Sequence, residues 1–245
     1  MGRAMLLVMA IDLSRYQHIV VLTGAGVSAA SGLPTYRGPG GLWDKDEIAS
    51  LATTEAWQER PDEVWSLFAG LRSQVCQAEP NDAHRALTTM QERAPGDFTL
   101  ITQNVDGLHQ RAGSTGVIEL HGNLHRSICS KAKCELEAFI DESKGSQAPL
   151  CTLCSSRLRP DIVLFGEPLP VLADHLATRA LRDCDLFIAV GTSGTVSPAS
   201  RFVRSAQYAG AHTVLVNLEP IEGESAFAEE CIGRADELLA QIFLS

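Results

Sequence analysis

Short apolar segments alternate along this chain with longer segments of helical periodicity. Five apolar segments are rich in β-branched residues and end in small or polar residues; they span 18–23, 98–103, 161–165, 185–190 and 212–217. Such runs are typical of strands buried on both faces of a parallel sheet. Helical patterns fill 81–93, 169–182 and 198–209. The alternation predicts an α/β fold with a Rossmann-like, doubly wound parallel sheet and right-handed crossovers.

Two regions interrupt this alternation. Residues 38–76 follow a Gly/Pro turn with helical patterns and no strand signal, and 124–157 hold four of the seven cysteines. We interpret both as parts of a smaller domain inserted into the sheet domain. The expected large domain comprises 12–38, 77–123 and 158–245, and the small one comprises a helical insertion, 39–76, and a metal-binding module, 124–157.

Composition and charge exclude some classes of function. The 245 residues carry 20 Lys and Arg against 30 Asp and Glu, a formal net charge of -10, which argues against a general nucleic-acid or anionic-membrane binder. No apolar run approaches the roughly 18–20 residues of a membrane span. The N-terminal stretch lacks a clean signal-peptide cleavage pattern, so we expect a cytoplasmic protein.

A glycine-rich turn follows the first predicted strand. Gly24, Ala25 and Gly26 stand between that strand and a predicted helix that includes Ser28, where backbone N–H groups and a helix dipole favour a pyrophosphate. Because Gly32 comes six residues after Gly26 instead of three, the usual dinucleotide fingerprint is incomplete, and an ordinary strand–helix turn remains an alternative.

Four cysteines have the spacing of a structural metal site. Cys129 and Cys134 are separated by four residues, Cys151 and Cys154 by two, and the pairs by sixteen. Two cysteine pairs on turns match tetrahedral zinc. Four thiolates leave no open coordination position, so we expect a structural Zn²⁺ ion without a catalytic role.

Polar side chains follow several predicted strands, at the edge where α/β sheets bind ligands. Gln103, Asn104 and Asp106 follow one strand, and His121 ends another apolar run before Gly122. An imidazole beside these groups suits a general base. Two further strand ends offer partners for ribose or adenine, or caps for the next helix; they are Gly191, Thr192 and Ser193, and Asn217, Leu218 and Glu219.

These motifs together resemble the sirtuin family. The resemblance rests on 24–37, 102–109, 120–122, the four cysteines, 158–167, 191–193 and 217–219, and it runs from about Tyr16 to about Leu239 in one order. It implies one catalytic domain over 1–245, with an NAD-binding Rossmann part and a small zinc-containing part. It also implies NAD-dependent removal of acyl groups from protein lysines, giving nicotinamide, free lysine and O-acyl-ADP-ribose.

The resemblance also implies roles for individual residues. His121 would be the general base, with Asn104 and Asp106 beside the nicotinamide ribose. The acylated peptide would add a strand to the segment Val163, Leu164, Phe165, Gly166 and Glu167. Other NAD contacts would come from Gly24, Ala25, Gly26, Ser28, Tyr36, Arg37, Trp43, Gln103, Gly191, Thr192, Ser193, Asn217, Leu218, Glu219 and Ala235.

One departure from the family bears on the acyl group. A sirtuin subgroup that removes succinyl and malonyl groups binds their carboxylate with a Tyr-x-x-Arg pair. This chain resembles that subgroup elsewhere, but Phe68 and Leu71 stand at those two positions, and Arg72 lies about 100° further round the helix. We therefore expect an apolar pocket that favours neutral acyl groups, unless Arg72 swings in to accept succinyl.

Other functions stay open at this point. An ADP-ribosyltransferase or an NAD glycohydrolase would use the same release of nicotinamide, and a zinc-ribbon binding module would need no catalysis. We expect acylated lysine peptides or proteins as partners, with no nucleic acid and no membrane, and a monomeric chain.

Overall fold

The computed structural model describes residues 10–36, 40–143, 145–192, 199–220 and 225–243. Its large sheet confirms the predicted fold class. All six strands run parallel in the order β3-β2-β1-β7-β8-β9. Their bounds are β1 His18–Thr23, β2 Asp97–Thr102, β3 Ile118–Glu119, β7 Leu186–Val190, β8 His212–Asn217 and β9 Glu229–Ile232.

Helices cover both faces of this sheet because successive β1 side chains point to opposite sides. The helices are α1 Asp46–Leu51, α2 Thr54–Glu59, α3 Pro61–Gln77, α4 Asp82–Arg93, α5 Leu108–Arg111, α6 Val171–Ala180, α7 Ala199–Tyr208 and α8 Ala235–Phe243. Ile19 and Val21 pack in a core with α4 and α8, whereas Val20 and Leu22 pack in a second core with α6 and α7. Asn81 caps α4 by accepting the Ala83 N–H, at 2.9 Å.

The smaller part of the molecule holds a second sheet, with three antiparallel strands and the four cysteines. The order is β5-β4-β6, with β4 Gly122–Cys129, β5 Phe139–Ile140 and β6 Leu158–Ile162. Helix α3 packs against it, and Arg72 of α3 forms a buried ion pair with Asp141, at 3.3 Å. The exact domain limits stay a prediction.

The structure corrects several sequence expectations. The segment 161–165 is not a strand of the parallel sheet: β6 ends at Ile162 and pairs antiparallel with β4. The segment after the first glycine turn is a 3₁₀ helix, Ala25–Ser31. Strand β2 lies one residue earlier than expected, and β9 was not predicted.

The strand order reverses between β1 and β7, whose neighbours lie on opposite sides. Such a switch point opens a crevice beyond the carboxyl ends of the two strands. Residues 24–26 and 191–192 follow these strands directly, so the fold itself brings the two glycine turns together. None of the helices in the described part of the chain combines the length and the apolar character that crossing a bilayer requires.

Candidate active site

Two glycine turns form the floor of the site. Gly24 N–H donates to the Val190 carbonyl at 3.0 Å, and Gly26 N–H donates to the Gly191 carbonyl at 2.9 Å. A Cβ atom added at Gly24 would lie 2.7 Å from the Gly191 oxygen, and one at Gly26 would lie 2.7 Å from the Gly191 Cα. Gly191 itself has φ +59°. Only glycines allow these two backbones to approach so closely at the cavity floor.

A cavity of about 1500 Å³ lies above this floor. It runs from the ends of β1, β2, β7 and β8 to Ala52, which lies between α1 and α2, to Phe68 of α3 and to the segment after β6. Most of the predicted site residues line it, namely Gly24, Ala25, Gly26, Tyr36, Trp43, Phe68, Gln103, Asn104, His121, Val163, Leu164, Phe165, Gly166, Glu167, Gly191, Thr192, Asn217, Leu218, Glu219 and Ala235.

Three predicted site residues lie behind the cavity wall, and two fall outside the described residues. Ser28 and Asp106 are buried and bind each other. Leu71 is buried in the apolar cluster around Phe68. Arg37 and Ser193 belong to parts of the chain that the structure does not describe.

His121 faces the cavity with a defined tautomer. Its Nδ1 lies 2.9 Å from the carbonyl oxygen of Gln103. Since a carbonyl oxygen can only accept a hydrogen bond, Nδ1 carries the proton and the lone pair resides on Nε2. The side chain of Gln103 in turn donates to the Thr192 hydroxyl at 3.1 Å, which joins the ends of β2 and β7. The arrangement presents a base that can accept a proton.

Asn104 combines burial with an unpaired oxygen. Its Nδ2 donates to the Gly24 carbonyl at 3.1 Å and to the Ser28 hydroxyl at 3.2 Å. Its Oδ1 is buried and has no hydrogen-bond partner among the described residues. A buried polar atom without a partner is costly, so this oxygen is suited to a hydroxyl group of a bound ligand.

Asp106 acts beneath the cavity surface. Its carboxylate accepts the Ser28 hydroxyl at 2.7 Å and, at the first residue of the short helix α5, the Leu108 N–H at 2.9 Å. Burial raises the pKa of Asp106 above its usual value, although both hydrogen bonds oppose the shift. The Ser28 hydroxyl thus accepts one hydrogen bond from Asn104 and donates one to Asp106. This chain of two bonds holds the Asn104 amide in place from beneath the cavity surface.

Two buried histidines support the same layer. Burial lowers the pKa of His84 to about 4 and that of His109 to about 3, so both rings are neutral near pH 7. Their ring centroids lie 4.9 Å apart. His109 Nε2 lies 2.9 Å from the Thr23 hydroxyl, at the end of β1. These histidines serve as scaffold, and neither lines the cavity.

Three aromatic side chains form one side of the cavity. Tyr36 stacks on Trp43 with centroids 5.2 Å apart, and Trp43 meets Phe165 edge-on at 5.4 Å. Burial raises the pKa of Tyr36, so its phenol stays protonated in the physiological range. The aromatic group connects the segment before α1 with the segment after β6.

Sequence reasoning missed two charged pairs that line the cavity. Arg201 binds Asp174 at 2.7 Å, and Arg234 binds Asp236 at 2.7 Å. The second pair directly flanks Ala235 at the start of α8. Because Ala235 was already a predicted NAD contact, its two neighbours in the sequence could have been predicted to line the cavity. The first pair joins α6 to α7 through two residues that lie 27 positions apart in the sequence, and neither residue belongs to a motif.

The four cysteines converge as a metal site requires. Their Sγ atoms all lie within 4.8 Å of one another, with Cys129 and Cys154 at 3.5 Å and Cys134 and Cys151 at 3.6 Å. Tetrahedral Zn–S bonds of about 2.3 Å place sulfur atoms about 3.8 Å apart, so the cluster fits zinc. The Lys131 and Leu153 N–H groups donate to Cys129 and Cys151 sulfur, each at 3.4 Å, as expected for thiolate ligands.

Comparison with known proteins agrees with this geometry. A family model described as the Sir2 family matches residues 24–198. The chain is 42% identical over 224 residues to the NAD-dependent protein deacylase of Vibrio cholerae, covering 90% of this chain and 89% of that protein. It is 44% identical over 232 residues to NAD-dependent protein deacylase 2 of Pyrobaculum aerophilum, covering 94% and 91%. A crystal structure of a Sir2 homolog–NAD complex superposes with a TM-score of 0.85 at 36% identity, covering 94% and 89%.

Proposed function

Because this chain belongs to the Sir2 family, we propose that it is an NAD-dependent protein-lysine deacylase. Its products would be nicotinamide, free lysine and O-acyl-ADP-ribose. The observation that carries the proposal is the placement of His121, whose Nε2 holds a lone pair in the same cavity as the glycine turns. A cytoplasmic location and a monomeric chain stay predictions.

The residues present fit a dinucleotide. Gly24, Gly26 and Gly191 bring two backbone turns together at the switch point where a pyrophosphate would lie, and Asn104 Oδ1 is a buried acceptor suited to a ribose hydroxyl. At the other end of the cavity, Asn217, Glu219 and Ala235 would hold the adenosine half. When bound there, NAD would supply an electrophilic ribose carbon.

His121 would then accept a proton from a ribose hydroxyl through Nε2. The Gln103 carbonyl stabilises the charged ring, because its hydrogen bond from Nδ1–H strengthens as the imidazole becomes a cation. An imidazole is a common general base for a proton transfer of this kind. The same hydrogen bond fixes the orientation of the ring, so correct positioning of the base also contributes to the rate.

We expect purified protein to convert NAD labelled in its adenosine half into O-acyl-ADP-ribose when it is given an acylated peptide. Chromatography of the products measures this directly. An ADP-ribosyltransferase would leave the label on protein, and an NAD glycohydrolase would give free ADP-ribose without consuming acyl-lysine. Either of these outcomes would contradict the deacylase proposal.

The acyl pocket would lie between Ala52 and Phe68, where the cavity wall is apolar. Leu71 packs behind Phe68 in the same cluster, together with Val105 and Leu164. Among the described residues in this cluster, none brings a cation to the place where an acyl carboxylate would lie. A carboxylate there would lose its hydration without compensation.

Arg72 is engaged elsewhere. Its Nε donates to the Leu124 carbonyl at 2.6 Å, and Nη2 donates to the Ser127 hydroxyl at 3.1 Å. Nη1 pairs with Asp141 at 3.3 Å, and the guanidinium lies over the Trp65 ring at 5.4 Å. Turning Arg72 toward the pocket would leave Asp141 as an unpaired buried charge, which typically costs about 3–5 kcal/mol.

We therefore predict that acetyl- and butyryl-lysine peptides are turned over faster than a matched succinyl-lysine peptide, by about 100-fold or more in kcat/KM. Steady-state rates on peptides that differ only in the acyl group check this. Faster turnover of the succinyl peptide would contradict the apolar pocket. A double variant, Phe68→Tyr with Leu71→Arg, should shift the preference toward succinyl, whereas Phe68→Tyr alone should not.

A further inference from the structure

One wall of the cavity is formed by the segment 163–167, whose backbone is tied on two sides. Val163 N–H donates to the His121 carbonyl at 2.9 Å. Phe165 N–H donates to the Ala52 carbonyl at 2.8 Å, and its own carbonyl accepts the Thr54 N–H at 3.0 Å. The segment therefore joins the turn that carries His121 to the helices α1 and α2.

Arg159 on β6 holds this segment with its guanidinium. The two terminal nitrogens bind the two carboxylate oxygens of Glu167, which follows eight residues later along the chain. Nη2 also donates to the Ile162 carbonyl at 2.8 Å, and the guanidinium lies 5.9 Å from the Trp57 ring centroid. A two-point Arg–carboxylate contact fixes both orientation and distance.

Glu167 uses the same carboxylate to close a turn. Its Oε2 accepts the Leu164 N–H at 2.9 Å, and its own N–H donates to the Leu164 carbonyl at 3.0 Å. Burial would raise the pKa of Glu167, but the hydrogen bonds from Arg159 and Leu164 outweigh burial and hold the pKa low. The carboxylate is therefore ionised at neutral pH and faces inward, so Glu167 is occupied by its own chain.

Gly166 sits at the tip of this turn with φ +94°, a conformation that favours glycine. An added Cβ would lie 2.8 Å from the Thr54 hydroxyl. Among the described residues, none pairs with the Gly166 N–H or carbonyl oxygen, although Gly166 lines the cavity. These two groups are what an incoming extended chain needs for backbone pairing.

Stability alone does not account for the Arg159–Glu167 pair. Arg159 Nε is buried and has no hydrogen-bond partner among the described residues. An unpaired buried N–H costs free energy, and buried ion pairs add little net stability after their desolvation. A role in function therefore explains the Arg159–Glu167 pair better than a contribution to stability does.

We propose that Arg159 is a positioning residue for the substrate: by holding Glu167 it sets the Gly166 backbone to pair with the peptide backbone beside the acyl-lysine. The inference rests on the proposed deacylase function, since it requires an acylated peptide in this cavity. Arg159 would thus affect how tightly the peptide backbone on either side of the acyl-lysine is bound, whereas other residues would bind the acyl group itself.

The test compares two ligands that differ in neighbouring residues. One is a nine-residue peptide with a central acetyl-lysine, and the other is acetyl-lysine with both ends blocked. Competition against a fluorescein-labelled acetyl-lysine peptide, followed by anisotropy, gives the affinity of each ligand. The ratio of the two affinities measures what the flanking backbone contributes, and the ratio stays unchanged in a variant that merely loses part of its active fraction.

We expect Arg159→Met to weaken peptide binding by about tenfold and leave the blocked acetyl-lysine nearly unaffected. Arg159→Lys should retain part of the peptide advantage, because it keeps the charge but loses the two-point contact. Glu167→Gln should resemble Arg159→Met. The matched control is Arg157→Met, which removes an exposed ion pair with Asp62 and should leave both affinities unchanged.

Equal loss for both ligands in Arg159→Met, or an unchanged ratio, would overturn the positioning role. If Arg159→Met does not fold, Arg159→Lys and Glu167→Gln decide the matter by the same ratio. Wild-type protein that does not favour the peptide over the blocked acetyl-lysine would also overturn it. Wild-type protein that favours the peptide but releases no nicotinamide from NAD would contradict the proposed function alone.

Discussion

Replacing His121 with Ala is expected to lower deacylation by about 10²–10⁴-fold, the usual contribution of a positioned acid–base group. The variant removes the imidazole of His121, whose tautomer is fixed by a backbone carbonyl, and it leaves the glycine turns unchanged. The fall should appear in kcat, with little change in the KM for NAD. Rates of O-acyl-ADP-ribose formation with saturating peptide measure it.

The matched control is His175→Ala, because His175 is exposed on α6. That variant should retain wild-type kcat. Thermal unfolding of both variants should match the wild type, which separates loss of chemistry from loss of folding. Full activity in His121→Ala would contradict the assignment of the general base.

The parallel sheet could be predicted because its strands leave a strong local pattern. The predicted segments 18–23 and 212–217 coincide with β1 and β8 residue for residue. Every residue of β1 after His18 is buried, which a continuous apolar run indicates. The glycine turns and the cysteine spacing are also local features of the sequence. The cavity floor and the cluster of four cysteines therefore lie at the expected residues.

Strand β6 was misplaced because its pattern is different. It alternates buried and half-buried residues, as in a strand with one face on a core, and Pro160 lies within it. The apolar residues of 162–165 straddle the end of the strand and the cavity wall, so their run suggests a buried strand that does not exist. Strand β9 was missed because its sequence begins Glu229–Glu230 and carries little apolar signal.

Contacts between distant residues lay beyond sequence reasoning. Ser28 binds Asp106 across 78 positions and Asn104 across 76, and nothing in the local pattern of either segment encodes that pairing. Asp106 therefore seemed to belong to the cavity surface, whereas it lies one layer behind. Arg72 is a similar case: its position on the helix was known, but its partners Leu124, Ser127 and Asp141 were not.

Replacing Cys151 with Ser is expected to abolish zinc binding and to lower Tm by on the order of 10 °C. Metal binding to four thiolates contributes folding free energy, about 10–16 kcal/mol in isolated zinc-finger peptides, and part of that support is lost with one ligand. The effect should be smaller than in an isolated finger, because the large domain has cores of its own. Metal analysis and calorimetry measure the two changes.

Loss of zinc should also lower the activity, because the metal module packs on α3, the helix that carries the acyl pocket. Cys151 and Leu158 share a buried cluster with Trp65 of α3, and Trp65 Nε1 donates to the Gly145 carbonyl at 3.0 Å. Phe68 lies one turn further along the same helix and lines the cavity. We therefore expect a chelator that removes zinc from the wild type to reproduce both the lower Tm and a loss of activity.

The exposed Cys76 provides the matched control, because Cys76→Ser removes a thiol that lies outside the metal cluster. Its zinc content, Tm and activity should equal those of the wild type. Wild-type protein freed of zinc that kept its Tm would contradict a structural metal. Zinc-free protein that kept its Tm but lost activity would instead assign the metal a role near the reacting groups, which four thiolate ligands argue against because they leave no open coordination position.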